Sequence, residues 1–456
     1  MSLFGAMNTA IGGLNAQSVA FGNISDNVAN SQTAGYKRVD TSFMDYLTTS
    51  TATVNEPGTV VARPDYVNTV PGTISQTDNT LAMAITGQGF FTVSHPAGTD
   101  VNGNVTFAPQ SYYSRAGDFS RNDNGYLTNG SGEYLNGWLA DPVTGVLDRS
   151  TVKPIQVAES VYKPVATQNL VMGANLPTGA IKTVALDASG NVTKMYDSSG
   201  AQVSAIQPQV QIYDAQGVTH TVQYTWTPQP SATANPDGSY DTVANTWTLQ
   251  AKIDGTDMGK VTVTFAKDGT LSGISSSGTP VASSTSGKCL ITYDTGLPTT
   301  TGTQSITLDL GTIGQTNGVT QFSSTYTLRG LTQDGVPPGS FSSLTTTSSG
   351  DIYANYDNGQ NRLIARVPIA TFPNADALQR QNGSSFTVTT ESGNPSLQDA
   401  GTNGAGTLVT KAVEGSNVDI ASEFSKLIVA QRTYSANTKM VTTADELLQQ
   451  TIDMKR

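Results

Sequence analysis

The side chains that usually carry out chemistry are scarce in this sequence. There is one cysteine, Cys289, and the two histidines, His95 and His220, lie 125 residues apart. A single cysteine excludes an intrachain disulfide and a cysteine-cluster zinc or iron–sulfur site, and two distant histidines offer little to a metal centre or a Ser-His-Asp triad. We therefore predict no catalytic residue, no metal site and no cofactor.

Arg115, Asp118 and Arg121 are charged side chains that cluster in a turn-rich β segment. An acid–base site there would need a nucleophile or a set of metal ligands at suitable spacing, and the neighbouring sequence provides neither. A structural role is therefore the better interpretation of this cluster. Cys289 is interpreted as a small buried side chain, and the two histidines as ordinary sheet or surface residues.

The composition favours a β-rich protein with many turns. Only 13% of the 456 residues are charged, the formal net charge is −11, and Gly (45), Ser (43) and Thr (65) are abundant. The acidic excess argues against nucleic acid as a partner. Because the sequence has no run of 18 apolar residues and no signal-peptide pattern at its start, we expect no membrane span and no cleaved signal peptide. This combination suggests a surface protein that is exported by a non-standard route.

Both ends of the chain carry apolar or small side chains at alternating spacings of four and three residues, the heptad pattern of a coiled coil. The N-terminal seam consists of Leu3, Met7, Ala10, Leu14, Gln17, Phe21, Ile24 and Val28. The C-terminal seam, with Asp445 in the same register, consists of Ile420, Phe424, Leu427, Gln431, Tyr434, Thr438, Val441, Leu448 and Ile452. We predict that these positions form a polymerisation seam between copies of the chain; the alternative is that both helices pack in a bundle inside one monomer.

The predicted helices have recognisable ends. The first stops near Asn30 and the turn at 33–35, whereas Ser416 and Asp419 form a candidate capping box for a helix over 417–454. Because each of four glycines in the first helix lowers its intrinsic stability by about 1 kcal/mol, this helix must pack closely against a neighbour. We expect the ends to be largely disordered in a free subunit and to fold on polymerisation.

The region between the two helices is predicted to be β structure. Period-two alternation predicts strands at 219–227, 246–253, 261–265 and 386–390. Residues 271–304 are rich in Ser, Thr, Gly and Pro and are predicted to be a loop or a short edge strand, while 401–406 has linker composition. Because residues 41–414 carry the whole charge excess, we expect the neutral ends to pack inside an assembly and the acidic middle to face solvent.

Several segments resemble the signatures of bacterial flagellar rod and hook proteins. The opening and closing signatures are carried by 14–18 (Leu-Asn-Ala-Gln-Ser), 24–30 (Ile-Ser-Asp-Asn-Val-Ala-Asn), 33–37 (Thr-Ala-Gly-Tyr-Lys), 414–419 (Glu-Gly-Ser-Asn-Val-Asp) and 430–440. Motifs of the shared β-domain are carried by 85–91, 113–119, 125–127 and 137–138. Rod-type members are shorter and lack a long insertion, so the insertion at 165–325 and the return segment 334–341 resemble the hook type.

The resemblance implies a multidomain fold in which terminal α-helices form a coiled-coil inner domain, with two or more mainly-β outer domains inserted between them. The implied parts are an inner helical domain (1–30 with 415–456), a linker region (31–75 with 403–414), a shared β-domain (76–164 with 326–402) and an inserted outer β-domain (165–325).

The implied function is structural and not enzymatic. A hook-type subunit self-assembles into the flexible curved tube, or universal joint, that transmits torque from rod to filament and surrounds the export channel; a distal rod protein of the same family is the alternative. The implied partners are copies of the chain itself, the distal rod, the hook cap, the hook–filament junction protein and the flagellar type III export apparatus. The implied location is extracellular, in the flagellum.

Three alternatives stay open at this point. Some hook proteins form a covalent crosslink between subunits, which would give Cys289 a second role. A surface adhesin would explain the Thr- and Gly-rich strands but not the paired heptads. A secreted β-rich hydrolase would explain the middle of the chain alone, and it would lack a catalytic constellation.

Overall fold

The computed structural model describes residues 3–50, 55–101, 103–142, 144–276, 281–283, 286–295, 302–323 and 325–454. The chain is mainly β, with a helix near each end. It divides into two compact units, which we call the terminal unit (Met1–Glu159 with Phe341–Arg456) and the inserted unit (Ser160–Ser340).

Both predicted terminal helices are present. Helix α1 spans Leu3–Ala29 and helix α2 spans Ile420–Asp453. The predicted capping box is wrong, because Asp419 and not Ser416 is the N-cap of α2. The Asp419 carboxylate accepts hydrogen bonds from two backbone N–H groups of the first turn, at 3.0 and 3.5 Å. Its short acidic side chain satisfies N–H groups that have no partner within the helix, so α2 begins at the following residue.

A long antiparallel hairpin follows α1. Its strands are β1 (Val39–Ser50) and β2 (Asn55–Tyr66). The hairpin packs on α1, where the Thr9 hydroxyl donates a hydrogen bond to the Gly58 carbonyl at 2.8 Å. The segment that the sequence assigns to a linker region therefore contains regular β structure.

The rest of the terminal unit is built on a large sheet, with thirteen strands among the described residues. Its main path runs through Phe341–Thr346, Asp351–Tyr356, Asn361–Arg366, Tyr134–Leu139, Phe90–Ser94, Tyr112–Ser114, Ser385–Thr387 and Gln379–Arg380. The strands that pair beside this path are Ser120–Arg121, Leu127–Thr128, Lys153–Pro154, Ile369–Thr371 and Ser396–Gln398. Aromatic side chains from strands far apart in sequence share one core, since the rings of Phe90 and Phe386 meet edge to face at 5.6 Å.

The terminal unit also contains short elements outside this sheet. They comprise a 3₁₀ helix (Ala375–Ala377) and three antiparallel pairs: Ile74–Gln76 with Ala412–Glu414, Met83–Thr86 with Thr407–Thr410, and Pro96–Thr99 with Val105–Phe107. The first two pairs place the chain that leads into α2 beside the chain that follows the hairpin.

The inserted unit consists of two sheets that share one core. The eight-stranded sheet contains Thr183–Leu186, Val192–Tyr196, Gln202–Val203, Gln209–Tyr213, Thr219–Ala234, Tyr240–Ile253, Thr256–Phe265 and Leu271–Ser275. The described strands of the second sheet are Asn169–Pro177, Val281–Ser283, Lys288–Asp294, Thr303–Asp309, Thr320–Phe322 and Thr327–Gln333. Trp226 and Trp247 from the first sheet and Leu170 and Leu308 from the second belong to the same buried cluster, so the unit is a β-sandwich.

The predicted strands in this region are mostly confirmed. Those at 219–227, 246–253 and 261–265 lie inside longer strands of the eight-stranded sheet. The prediction at 386–390 is right only at its start, because the strand ends at Thr387. The chain then turns, and the Thr389 N–H donates a hydrogen bond to the Ser392 hydroxyl at 3.0 Å.

The prediction for 271–304 is wrong at its centre. The strand Lys288–Asp294 lies in the interior of the second sheet, between Val281–Ser283 and Thr303–Asp309. Its side chains alternate between solvent and core, and the buried ones are Cys289, Ile291 and Tyr293. This alternation decides the local structure despite the loop-like flanks. The parts of the predicted segment outside the described residues are 277–280, 284–285 and 296–301.

Candidate assembly surface

The two terminal helices pack against each other within one chain. The rings of Phe21 and Tyr434 meet edge to face at 6.2 Å, and the Asn27 amide donates a hydrogen bond to the Glu423 carboxylate at 3.1 Å. Gly13 lies so close to α2 that a methyl group there would approach the Asn437 side chain to 2.7 Å. The glycine-rich first helix thus has the close neighbour that its composition requires.

The described seam positions of α1 are all at least partly covered in the single chain. Ala10 and Ile24 are buried, and the partly buried positions are Met7, Leu14, Gln17, Phe21 and Val28. Leu3 is the first residue of the helix, but its side chain lies outside the described residues. On the open side of α1 the exposed apolar side chains are Ile11 and Val19.

The predicted seam of α2 runs along the edge of the covered face. Ile420 and Phe424 are 44% and 52% exposed, whereas Leu427, Val441 and Leu448 are partly buried. These three residues are spaced by multiples of seven, so they lie on the side of the seam that is nearer to the buried face. The remaining seam positions are exposed: Gln431, Tyr434, Thr438, Asp445 and Ile452.

The face of α2 that is buried in the single chain runs through Glu423, Ala430 and Ala444. At 100° per residue, two sets of exposed apolar side chains flank this face. Stripe A consists of Ile420, Phe424, Ile428, Tyr434 and Ile452. Stripe B consists of Val429, Met440 and Leu447. Exposed apolar side chains that line up along a helix mark an interaction surface, so α2 presents apolar side chains on both sides of its buried face.

A buried charge cluster lies where the terminal helices meet the large sheet. Lys37 Nζ is 2.6 Å from Glu414 Oε1, and Arg115 Nη1 is 3.1 Å from Glu414 Oε2. The side chains of all three residues are at most 1% exposed. In the sequence Arg115 lies near Asp118 and Arg121, but in the structure it pairs with Glu414, 299 residues further along the chain.

Burial dominates the electrostatics of this cluster. Desolvation lowers the pKa of Lys37 and the pKa of Arg115, although the Glu414 carboxylate opposes both shifts. The two cations also repel each other, since Arg115 contributes to the lowered pKa of Lys37. Glu414 is therefore the group that makes the burial of both cations tolerable.

A second buried carboxylate anchors the start of α2. Glu423 is 1% exposed and is held by the amide of Asn27 and by Lys426 Nζ at 2.8 Å. Lys426 also contacts Asp40 at 2.5 Å. Although desolvation acts in the opposite direction, hydrogen bonds to Asp40 and Glu423 raise the pKa of Lys426. Sequence reasoning missed Glu423, which lies one residue before a predicted seam position.

The other residues singled out from the sequence lie in ordinary surroundings. Cys289 is buried in the core of the inserted unit, as predicted. His95 stacks on Tyr112 at 3.9 Å and contacts Glu133 at 3.0 Å. His220 is a sheet residue whose Nδ1 lies 2.7 Å from Asp254.

Metal-binding clusters and membrane-spanning helices are both absent from the part of the chain that the structure describes. Among these residues no group of three or more His, Cys, Asp or Glu side chains is arranged to hold a metal ion. The described helices include none that is long and apolar enough to cross a membrane.

Four family descriptions match successive parts of the chain. "Flagella basal body rod protein" matches residues 7–37 and "Flagellar hook protein FlgE/F/G D1 domain" matches 84–194. "Flagellar basal body protein FlaE D2 domain" matches 185–336, and "Flagellar basal body rod FlgEFG protein C-terminal" matches 409–454. The first and last of these cover most of α1 and α2, which carry the predicted seam.

Full-length relatives agree with these matches. The chain is 29% identical to the flagellar hook protein FlgE of Brucella abortus over 458 residues, covering 100% of both chains. It is 28% identical to the flagellar hook protein FlgE of Escherichia coli K12, covering 99% of this chain and 100% of the relative. A crystal structure of Helicobacter pylori flagellar hook protein FlgE2 aligns with 75% of this chain and 100% of its own, at 16% identity and a TM-score of 0.46. The sequence matches show that the chain is similar over its whole length to bacterial flagellar hook and rod proteins.

Proposed function

We propose that the chain is the structural subunit of the flagellar hook and that it polymerises through its terminal helices. In this proposal many copies form the curved tube that joins rod to filament, transmits torque and encloses the export channel. The main partners are other copies of the chain. The distal rod, the hook cap and the hook–filament junction protein contact the ends of the tube, and the type III export apparatus delivers the subunits. Full-length similarity to hook relatives favours this function over that of a distal rod protein.

The observation that carries the proposal is the pair of apolar stripes on α2. Although α1 covers one face of α2 and Phe21 meets the ring of Tyr434, the side chains of stripes A and B stay exposed in the single chain. Burying apolar surface contributes about 25 cal/mol per Å², so a row of such side chains along a 34-residue helix favours association with further helices. The contacting helices carry balanced charge, with five acidic and five basic residues over 415–456, so copies can approach without net repulsion.

Polymerisation of purified full-length chain tests the role of stripe A. We expect Phe424→Glu to lower the mass of sedimented polymer at least about tenfold, because a carboxylate in a desolvated apolar contact costs several kcal/mol. Ser425→Glu is the matched control, since Ser425 is exposed on the same turn but lies outside both stripes. Electron microscopy of the pellets distinguishes tubes from aggregates.

Two results would contradict the polymerisation proposal. One is a Phe424→Glu chain that forms tubes as well as the parent chain does. The other is an equal defect in both variants, which would indicate general sensitivity of α2 to charge.

Immunogold labelling of flagellated cells with antibody to residues 165–325 tests the location separately. Gold on the short curved segment between cell body and filament supports a hook subunit, whereas gold only within the cell envelope supports a distal rod protein.

A further inference from the structure

We propose that Lys37, Arg115 and Glu414 couple the docking of two terminal segments. The segment that leaves α1 and the segment that enters α2 dock on the large sheet together or not at all. The inference concerns the folding of a single chain. It therefore stands or falls independently of the proposed role in the hook.

The three residues come from three separate parts of the terminal unit. Lys37 lies between α1 and the hairpin, and Glu414 ends the short strand that precedes α2. Arg115 directly follows the strand Tyr112–Ser114 of the large sheet. The charge cluster therefore exists only when both terminal segments are in contact with the sheet.

Backbone groups of neighbouring segments complete the cluster. Lys37 Nζ donates a hydrogen bond to the Val70 carbonyl at 2.8 Å, and the Gly72 N–H donates to Glu414 Oε1 at 2.8 Å. Arg115 donates to the carbonyls of Ile85 at 3.1 Å and Gly87 at 2.6 Å. Most of the charged donors and acceptors are thus satisfied, but each depends on the position of the others.

The two terminal segments also contact each other directly. The Gly35 N–H donates to the Glu414 backbone carbonyl at 2.8 Å, and the Arg38 N–H donates to the Asn417 side chain at 2.7 Å. Gly35 has φ of +66° and lies against the backbone of Ala116, where a methyl group would overlap the Ala116 nitrogen. Glycine is therefore required for the first segment to approach the sheet this closely.

The coupling between the two segments follows from the buried charges. If the α2 segment leaves, two mutually repelling cations stay buried without a carboxylate, so the α1 segment is driven out as well. If the α1 segment leaves, residue 414 loses its contacts with Lys37 and with the Gly35 N–H together. Solvent then gains access to the Arg115 side chain. Undocking of one segment thus removes charged partners that hold the other segment in place.

Limited trypsin digestion of the full-length chain tests this coupling, with cleavage after Arg38 and after Lys411 followed separately by mass spectrometry. Proteolysis of a transiently opened segment follows the population of the open form. We expect Glu414→Gln to accelerate both cleavages at least about 100-fold, although residue 414 lies far along the chain from Arg38. Cleavage after Lys252, inside the inserted unit, should not change. The matched control is Glu159→Gln, which removes a carboxylate that is 62% exposed in its pair with Arg121.

A second variant separates lost charge balance from lost packing. Lys37→Met, Arg115→Met and Glu414→Gln combined in one chain remove all three charges, so both cleavages should be at least about tenfold slower than in Glu414→Gln alone. If Glu414→Gln is not recovered in folded form, recovery of the folded triple variant gives the same comparison. The proposal is overturned if only the Lys411 site becomes sensitive, if the parent chain is already cut rapidly at both sites, or if the triple variant is no better than the single one.

Discussion

Cys289 shows how a single residue is controlled by its place in the fold. It is 1% exposed on an interior strand of the inserted unit, and burial raises the pKa of its thiol to about 12. The thiolate is the reactive form, so at pH 8 the native chain holds about a thousandfold less of it than an unfolded chain. We expect labelling by iodoacetamide to be slower by at least this factor in the native chain, and to speed up as pH rises toward 12.

The comparison is made with the same chain in guanidinium chloride, where the thiol has its ordinary pKa. A Cys289→Ala chain gives the background of side reactions. Rapid stoichiometric labelling of the native chain at pH 8 would contradict the assignment of Cys289 as an inert core residue. It would also reopen the alternative that this thiol takes part in a covalent bond between subunits.

The buried carboxylates mark the limit of what the sequence could predict for single residues. Burial of Cys289 was predicted from the apolar character of its side chain, whereas a glutamate is expected to face solvent on any local pattern. Glu423 is buried because Asn27 lies beside it, and that residue is 396 positions away in the chain. Glu414 meets Lys37 across 377 positions. Local spacing contains no information about such contacts. The motifs show only that these segments resemble the signatures of hook and rod proteins.

At the scale of elements, the glycines of α1 include two that pack closely against neighbours and one that does not. A methyl group at Gly12 would overlap the Thr59 hydroxyl of strand β2, whereas nothing lies within 4 Å of one at Gly22. We expect Gly12→Ala to lower the free energy of unfolding of the terminal unit by about 1–3 kcal/mol through overpacking. Gly22→Ala should raise it by about 1 kcal/mol, because alanine has the higher helix propensity.

Urea unfolding of the full-length chain, followed by far-ultraviolet circular dichroism, measures both changes. Each variant is the control for the other, since both exchange glycine for alanine in the same helix. Stabilisation by both substitutions would mean that α1 does not rest on the hairpin in solution. It would favour the expectation that the ends of a free subunit are largely disordered.

The helices themselves were predictable because their periodicity is a local property. The sequence did not predict which face of α2 is covered, because two neighbouring faces both satisfy the heptad pattern. The predicted seam and the buried face of α2 coincide only near Leu427, Val441 and Leu448. Ala430 and Ala444 are small, so they permit close approach of α1 without appearing in an apolar heptad. Assignment of the seam to contacts between copies stays a prediction.

At the scale of the whole molecule, the sequence indicated a mainly β chain with a helix at each end, which the structure confirms. The strand order of the large sheet was beyond local reasoning. Among the neighbouring strands, Tyr134–Leu139 precedes the inserted unit in the sequence and Asn361–Arg366 follows it. Their pairing therefore depends on closure of a long loop. The resemblance to hook and rod proteins supplied this grouping, whereas turn and strand signals alone did not.

The inserted unit should fold without the rest of the chain, and its first long strand should be essential. Every described strand of the unit pairs with another strand of the same unit, and the two sheets share one core. Its ends are held together by backbone bridges between Tyr162 and Gly339 and between Val165 and Val336. We therefore expect a fragment of residues 160–340 to unfold in one cooperative transition, measured by tryptophan fluorescence and calorimetry.

A fragment of residues 185–336 is the matched control, because it lacks the strand Asn169–Pro177. That strand pairs with three described strands of the second sheet and buries Leu170, Met172 and Leu176 completely. Loss of each such side chain costs about 2–5 kcal/mol, so losing three removes most of the 5–15 kcal/mol that typically stabilises a domain. The shorter fragment should therefore bind a hydrophobic dye and show no cooperative transition. Cooperative unfolding of both fragments would mean that the strand Asn169–Pro177 adds little to the core.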